Sequence, residues 1–149
     1  MNIKEFLAPT DVLADFAATG KIPLLQGLAQ HAADSTKLPA EVILSALLKR
    51  EELGSTGTGG GIAIPHARIP GLNKPFGILI RLRQPIDFQA IDEQPVDLIF
   101  LLLLPAASNK EQLNALAAVA RILRSPAAVR NLRSVRDGAD LFRAMTALA

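Results

Sequence analysis

The 149-residue chain has no cysteine, no tryptophan and no tyrosine, and only two histidines, His31 and His66. Without cysteine there is neither a disulfide framework nor a thiolate metal site. Two histidines so far apart do not make a zinc site either. The longest unbroken apolar run, Leu98 to Leu104, is far shorter than the ~20 residues that cross a bilayer. The N-terminal segment, Met1 to Leu7, brings in Lys4 and Glu5 early and sustains no apolar stretch, so it lacks the form of a secretory signal. There is no internal repeat, low-complexity tract or linker. The expectation is one domain over residues 1–149, cytoplasmic, with no membrane insertion, metal or cofactor. Net charge is only +2, but basic residues gather towards the C-terminus: Arg121, Arg124, Arg130, Arg133, Arg136 and Arg143 face only Asp137 and Asp140. No aromatic residues interleave with these charges and no binding motif accompanies them, so they read as solvated helix faces and not as a nucleic-acid footprint.

What is present is apolar surface: 50% of the residues are hydrophobic, enough for a full core. A short strand is expected near Asp11–Ala17. Leu24, Leu25, Leu28 and Ala32 have helical spacing and predict a helix over about 21–33, with His31 beside the apolar stripe as a surface histidine. Pro39 suits the first turn of a second helix, whose inner face is Val42, Ile43, Ala46 and Leu47. Arg50 continues that face at the helix end, where the helix dipole favours a cation. From Phe76 to Arg83, Phe76, Ile78, Ile80 and Leu82 alternate with Gly77, Leu79, Arg81 and Arg83, the pattern of a half-buried strand. Asp97–Leu104, stopped by Pro105, reads as a central strand covered on both faces. Ser108-Asn109-Lys110-Glu111 fits a capping box ahead of a helix carrying Leu113, Leu116, Ala117, Ala120 and Leu123. Ser125-Pro126 starts a short helix to about Leu132, and Asp137 caps a last one carrying Leu141, Met145 and Leu148. Helices precede, interrupt and follow the strands. The class is therefore α/β, a single domain with a central mixed β-sheet flanked by helices on both faces.

The segment with chemistry in it is Gly57-Thr58-Gly59-Gly60-Gly61-Ile62-Ala63-Ile64-Pro65-His66. Glycines let backbone N–H groups approach a charged ligand. Ile62–Ile64 reads as a buried strand, and Pro65 cannot continue an interior ladder. His66 is thus displayed at a strand end, where a neutral imidazole can act as a nucleophile toward phosphorus. Other glycine motifs fail. Gly54 and Gly59 have the spacing of a P-loop, but Gly60-Gly61 stands where Lys-Ser/Thr is needed, and Ile62 takes the place of the last glycine of a dinucleotide fingerprint. The nucleophile elbow of a serine hydrolase is missing.

Leu53-Gly54-Ser55-Thr56-Gly57, a glycine-rich spacer and then Gly61-Ile62-Ala63-Ile64-Pro65-His66 resembles the IIA domain of the bacterial phosphoenolpyruvate-dependent phosphotransferase system. The type is the mannitol/fructose one, nearest its nitrogen-regulatory branch, and the resemblance runs from about Lys21 to Met145. It implies a sheet flanked by helices with a phosphorylatable histidine at one end. His66 matches the phosphoryl acceptor, through Nε2, and Arg50 the family's active-site arginine. Where members usually carry a second histidine before a leucine, this chain has Gln112-Leu113. Phosphoryl transfer needs donors for three equatorial oxygens; the glycine amides, the Ser55 and Thr56 hydroxyls, Arg50 and Gln112 are the candidates. The implied donor is a histidine-phosphorylated HPr-like carrier charged by an enzyme I, and the implied output is phosphorylation-dependent binding of regulated target proteins. The alternative role is sugar uptake, with phosphate passed to a IIB domain for fructose or mannitol.

Overall fold

The computed structural model describes residues 2–107 and 110–147, with the backbone alone at 111 and 112. Two 3-10 turns, Ile3–Glu5 and Pro9–Asp11, lead into strand β1, Val12–Phe16. Helices α1 (Lys21–Thr36) and α2 (Ala40–Glu52) follow. Next come the short strands β2 (Gly57–Gly59), β3 (Ile62–Ala63) and β4 (His66–Ile69), then the long β5 (Phe76–Ile86) and β6 (Val96–Pro105). Helices α3 (Lys110–Leu123), α4 (Pro126–Ser134) and α5 (Gly138–Ala147) complete the chain.

The six strands form one mixed sheet in the order β1-β5-β6-β3-β2, with β4 also on β6. β1 runs parallel to β5, β5 antiparallel to β6, and β3 and β4 parallel to β6. β6 is the centre, and its eight residues from Leu98 to Pro105 are buried, as its unbroken apolar sequence demands. Side chains alternate across the pleat, so β6 feeds two cores. Leu98, Phe100, Leu102 and Leu104 pack with Val119, Leu132 and Leu141 of the C-terminal helices. Ile99, Leu101 and Leu103 pack with Leu24, Leu28, Ile43 and Leu47 of α1 and α2. At roughly 1.5–3 kcal/mol for each large apolar side chain removed from water, β6 is the main thermodynamic seam of the fold.

Several local expectations need correction. β5 is covered on both faces from Gly77 to Ile80, not half-buried, because α3–α5 close over Leu79. Gly77 is the small residue this requires: a Cβ there would meet the Phe100 ring at 2.8 Å, and its amide donates to Phe6 O at 2.7 Å. Helix α1 runs on to Thr36 and stops at Lys37, whose φ of 65° is left-handed. Pro39 sits at the N-cap of α2, one position before its first turn, and Val42 is 38% exposed, leaving Ile43 and Leu47 as the buried stripe. On α3 Leu123 is buried as expected, with Leu116 and Ala120 partly buried against the same core, but the other buried positions are Ala115, Val119 and Ile122, and Leu113 is 68% exposed. Ser125 caps α4 by accepting from Ala128 N at 3.3 Å, and Asp137 caps α5 by accepting from Asp140 N at 2.8 Å. The capping box at Ser108-Asn109 and Leu148 of the last stripe lie outside the described residues.

His31 is not a plain surface histidine. Its Nε2 lies 2.9 Å from Asp11 Oδ1, which also accepts from Ser35 Oγ at 2.8 Å, and the Asp11 side chain is only 7% exposed. The cluster ties α1 to the turn entering β1. Twenty residues of sequence separation hide that contact.

Candidate functional site

The Ile62–His66 segment lies along one edge of β6 without losing register, Ile62 opposite Leu98 and His66 opposite Leu102. Pro65 lacks the N–H that would continue the ladder, so the segment is split into β3 and β4 at Ile64-Pro65. His66 therefore opens a strand, where the sequence suggested that it follows one. Among the described residues β4 pairs with β6 alone, so the other edge of β4 is open.

The split also positions the imidazole. Pro65 O accepts from Leu102 N at 2.9 Å, facing β6. The carbonyl of Ile64 is left to His66 Nδ1, at 2.9 Å. A carbonyl only accepts, so Nδ1 carries the proton in this bond and Nε2 keeps its lone pair. Arg50, in the last turn of α2, donates through Nε to that Nε2 at a long 3.4 Å and through Nη1 to Gly54 O at 2.8 Å. Both bonds fit one tautomer, with the unprotonated nitrogen next to a guanidinium. The ring is half-buried and faces a cavity of about 460 Å³ between α2, β4 and α3. Lys49 and Arg68 line it with Arg50, and Leu53, Leu113 and Leu116 form an apolar rim. Leu53 is 86% exposed.

Ser55 and Thr56 are not turned to the imidazole. Ser55 Oγ donates to Phe88 O at 3.3 Å and accepts from Gly57 N at 3.0 Å. Thr56, 4% exposed, gives both its hydroxyl and its amide to the Glu51 carboxylate. The amides of Gly57 and Gly60 are likewise engaged. Gly57–Gly59 is strand β2, antiparallel to β3, and Gly60 N donates to Asp92 Oδ2 at 3.0 Å. That bond and one from Gln94 N hold the Asp92 carboxyl below the usual carboxylate range. Gly57 must be glycine because a Cβ would meet Ala90 at 2.8 Å. The hydroxyls and amides thus build the turn that brings α2 to β3. The backbone of Gln112 is in the first turns of α3, and its side chain lies outside the described residues.

Glu51 escaped the sequence reading. Its side chain is 6% exposed and pairs with Lys21 Nζ at 2.7 Å, while Lys21 also sits 4.7 Å from the Phe88 ring centre. One carboxylate thus joins α1, the end of α2 and the Thr56 turn beside Arg50. Only its place next to Arg50 in the sequence hinted at it. Glu51→Ala is expected to cost about 3 kcal/mol, the low end for removing one member of a buried pair, measured by urea unfolding. A loss under about 0.5 kcal/mol, the range of ordinary surface changes, would show the network to be unimportant. Arg68 was missed as well. It lies two residues from His66 and thus on the same strand face, and that spacing was the available signal.

The phosphoenolpyruvate-dependent sugar phosphotransferase system EIIA 2 family model matches residues 5–147. The chain belongs to that family. It is 42% identical to the nitrogen regulatory protein of Bradyrhizobium diazoefficiens over 142 residues, 95% of this chain and 93% of that one. The crystal structure of nitrogen regulatory protein IIA-Ntr from Neisseria meningitidis superimposes with a TM-score of 0.91 at 32% identity, covering 97% of this chain and 99% of that one. IIA mannitol from Escherichia coli has the same fold, with a TM-score of 0.75 at 16% identity over 93% of this chain and 98% of its own. The chain is a IIA protein of the phosphotransferase system, and the mixed α/β architecture expected from its sequence is that of the family. Among the described residues no helix is long and apolar enough to cross a membrane.

Proposed function

We propose that the protein accepts a phosphoryl group on Nε2 of His66 from a histidine-phosphorylated HPr-like carrier, and that its free and phosphorylated forms bind regulated target proteins differently. The observation that carries this is the His66 ring itself: Nδ1 is held by Ile64 O and Nε2 is left facing a cation-lined cavity. In the transfer, the P–N bond of the donor histidine breaks and its electron pair returns to the donor ring, while the Nε2 lone pair forms the new P–N bond. The proton on Nδ1 stays on its carbonyl bond throughout. Arg50 follows the three equatorial oxygens as charge builds on them. Lys49 and Arg68 supply further positive charge at the mouth, and the apolar rim of Leu53 and Leu113 gives a protein donor a surface to exclude water against. Ser55 and Thr56 support the site by fixing the turn behind Arg50. A regulatory role accords with the names of the relatives that resemble the chain over most of its length. The test is incubation with phosphoenolpyruvate, enzyme I and the phosphocarrier. An acid-labile phosphate in the intact mass is expected, and its absence would refute acceptor activity.

The family description names a sugar system, which keeps delivery to a IIB domain as the second reading. Gln112 favours regulation, because an amide cannot change charge near neutral pH where a second histidine would. Phospho-His66 is expected to persist when mixed with a fructose- or mannitol-type IIB, its permease and sugar. Rapid appearance of label in sugar phosphate would favour uptake.

A further inference from the structure

Four of the C-terminal arginines divide into two groups. Arg143 pairs with Asp140, and Arg133 makes a forked pair with Asp97, at 3.0 Å from Nε and 2.8 Å from Nη2. Arg133 Nη2 also donates to Gly60 O at 2.7 Å, strapping α4 to the β2–β3 hairpin. Gly61 permits this, since a Cβ there would lie 2.4 Å from that nitrogen. Arg124 and Arg130 make no hydrogen bond or ion pair among the described residues, yet both line one cavity of about 480 Å³ between the hairpin and the α3–α4 corner. Its floor is apolar, from Ile62, Leu123 and Val129, which are 3%, 4% and 7% exposed. The cavity is separate from the His66 site: it opens beside the start of β3, and the two sites share no lining residue.

Two guanidiniums with no partner among the described residues, at the lip of an apolar hollow, are a specific chemical pattern. A concave, low-dielectric wall focuses positive potential, and guanidinium forks match phosphate oxygens two at a time. The volume falls within the roughly 300–1,000 Å³ typical of small-molecule sites. A flat acidic protein surface would use the arginines but leave the hollow empty. A simple inorganic anion would leave the floor uncovered. We propose that this cavity binds an organic phosphate with a planar or apolar body, the phosphate between Arg124 and Arg130 and the body on Ile62, Leu123 and Val129. The proposal stands independently of the phosphotransfer reading, because none of these residues touches His66 or Arg50.

The test is a titration of the full chain with adenosine monophosphate, followed by methyl and amide NMR, with inorganic phosphate and adenosine as separate arms. Saturable shifts are expected at the Ile62, Leu123 and Val129 methyls and the Gly59 and Gly60 amides. Each fragment alone should bind at least about tenfold more weakly, the cost of one lost charged hydrogen bond or its apolar equivalent. The Arg124→Ala/Arg130→Ala variant should weaken binding at least about tenfold. Both residues are exposed, and an unchanged melting curve will confirm that the variant folds. No saturation, equal affinity for phosphate alone, or undiminished binding by the double variant would each overturn the proposal. Tighter binding of duplex DNA than of the nucleotide would reassign the patch to nucleic acid.

Discussion

Replacing His66 by alanine is expected to abolish phosphoryl acceptance from the carrier and to leave the fold in place. Labelling should be lost because His66 is the one histidine lining the cation-rich cavity, whereas His31 Nε2 is engaged by Asp11. The fold should survive because the ring is half-buried and, among the described residues, it bonds only to Ile64 O and Arg50. A stability change within about 0.5 kcal/mol is expected, as for other substitutions away from the core. Intact mass and thermal melts on the same sample check both halves. Label retained in the variant, mapped to His31, would move the acceptor and discard the site described here.

Arg50→Ala is expected to slow transfer by about 10²–10³, the scale of one transition-state donor removed. Arg50→Lys should recover part of that rate, since it restores the charge but not the planar fork. The Gly54 bond at the end of α2 gives Arg50 a structural duty too, worth about 0.5–1.5 kcal/mol as one hydrogen bond. The lysine variant separates the two roles. A catalytic Arg50 gives a graded series in rate, arginine fastest, lysine next and alanine slowest. A merely structural Arg50 gives unchanged transfer kinetics in both variants, with lower stability. Rapid-quench transfer from the phosphorylated carrier, alongside urea unfolding, distinguishes them.

The site was legible where its determinants are local. Gly61 to His66 is a continuous stretch, and its strand-proline-histidine order is enough to display an imidazole. Arg50 was legible because helical period alone places it on the face of Ile43 and Leu47. β6 was legible because a short unbroken apolar run stopped by Pro105 fits a strand covered on both faces. What stayed hidden depends on pairs distant in sequence. The glycine stretch reads as a flexible spacer, but the packing of Ala90 against Gly57 and the Asp92 cap on Gly60 turn it into β2 and a tight turn. Ser55 and Thr56 read as phosphate donors because hydroxyls beside glycines often are, but Phe88 O and the Glu51 carboxylate hold them first. Leu113 fits a helical stripe as well as Ala115 does. Only the docking of α3 on β6 decides that Ala115 goes inward and Leu113 towards the histidine cavity.

The open edge of β4 carries a hazard that the same residues contain. An unpaired strand edge is a template on which a second chain can add a strand and start aggregation. The strand without a second partner is only four residues long, His66–Ile69, and Pro65 and Pro70 bound it at both ends. Neither proline has an N–H to offer an incoming strand. Arg68 adds a charge on the outward face, and a second copy arriving edge to edge would set it near its own like. The two prolines that frame β4 thus also keep the sheet from growing there, so the strand that carries His66 can lack a second partner without recruiting another copy of the chain.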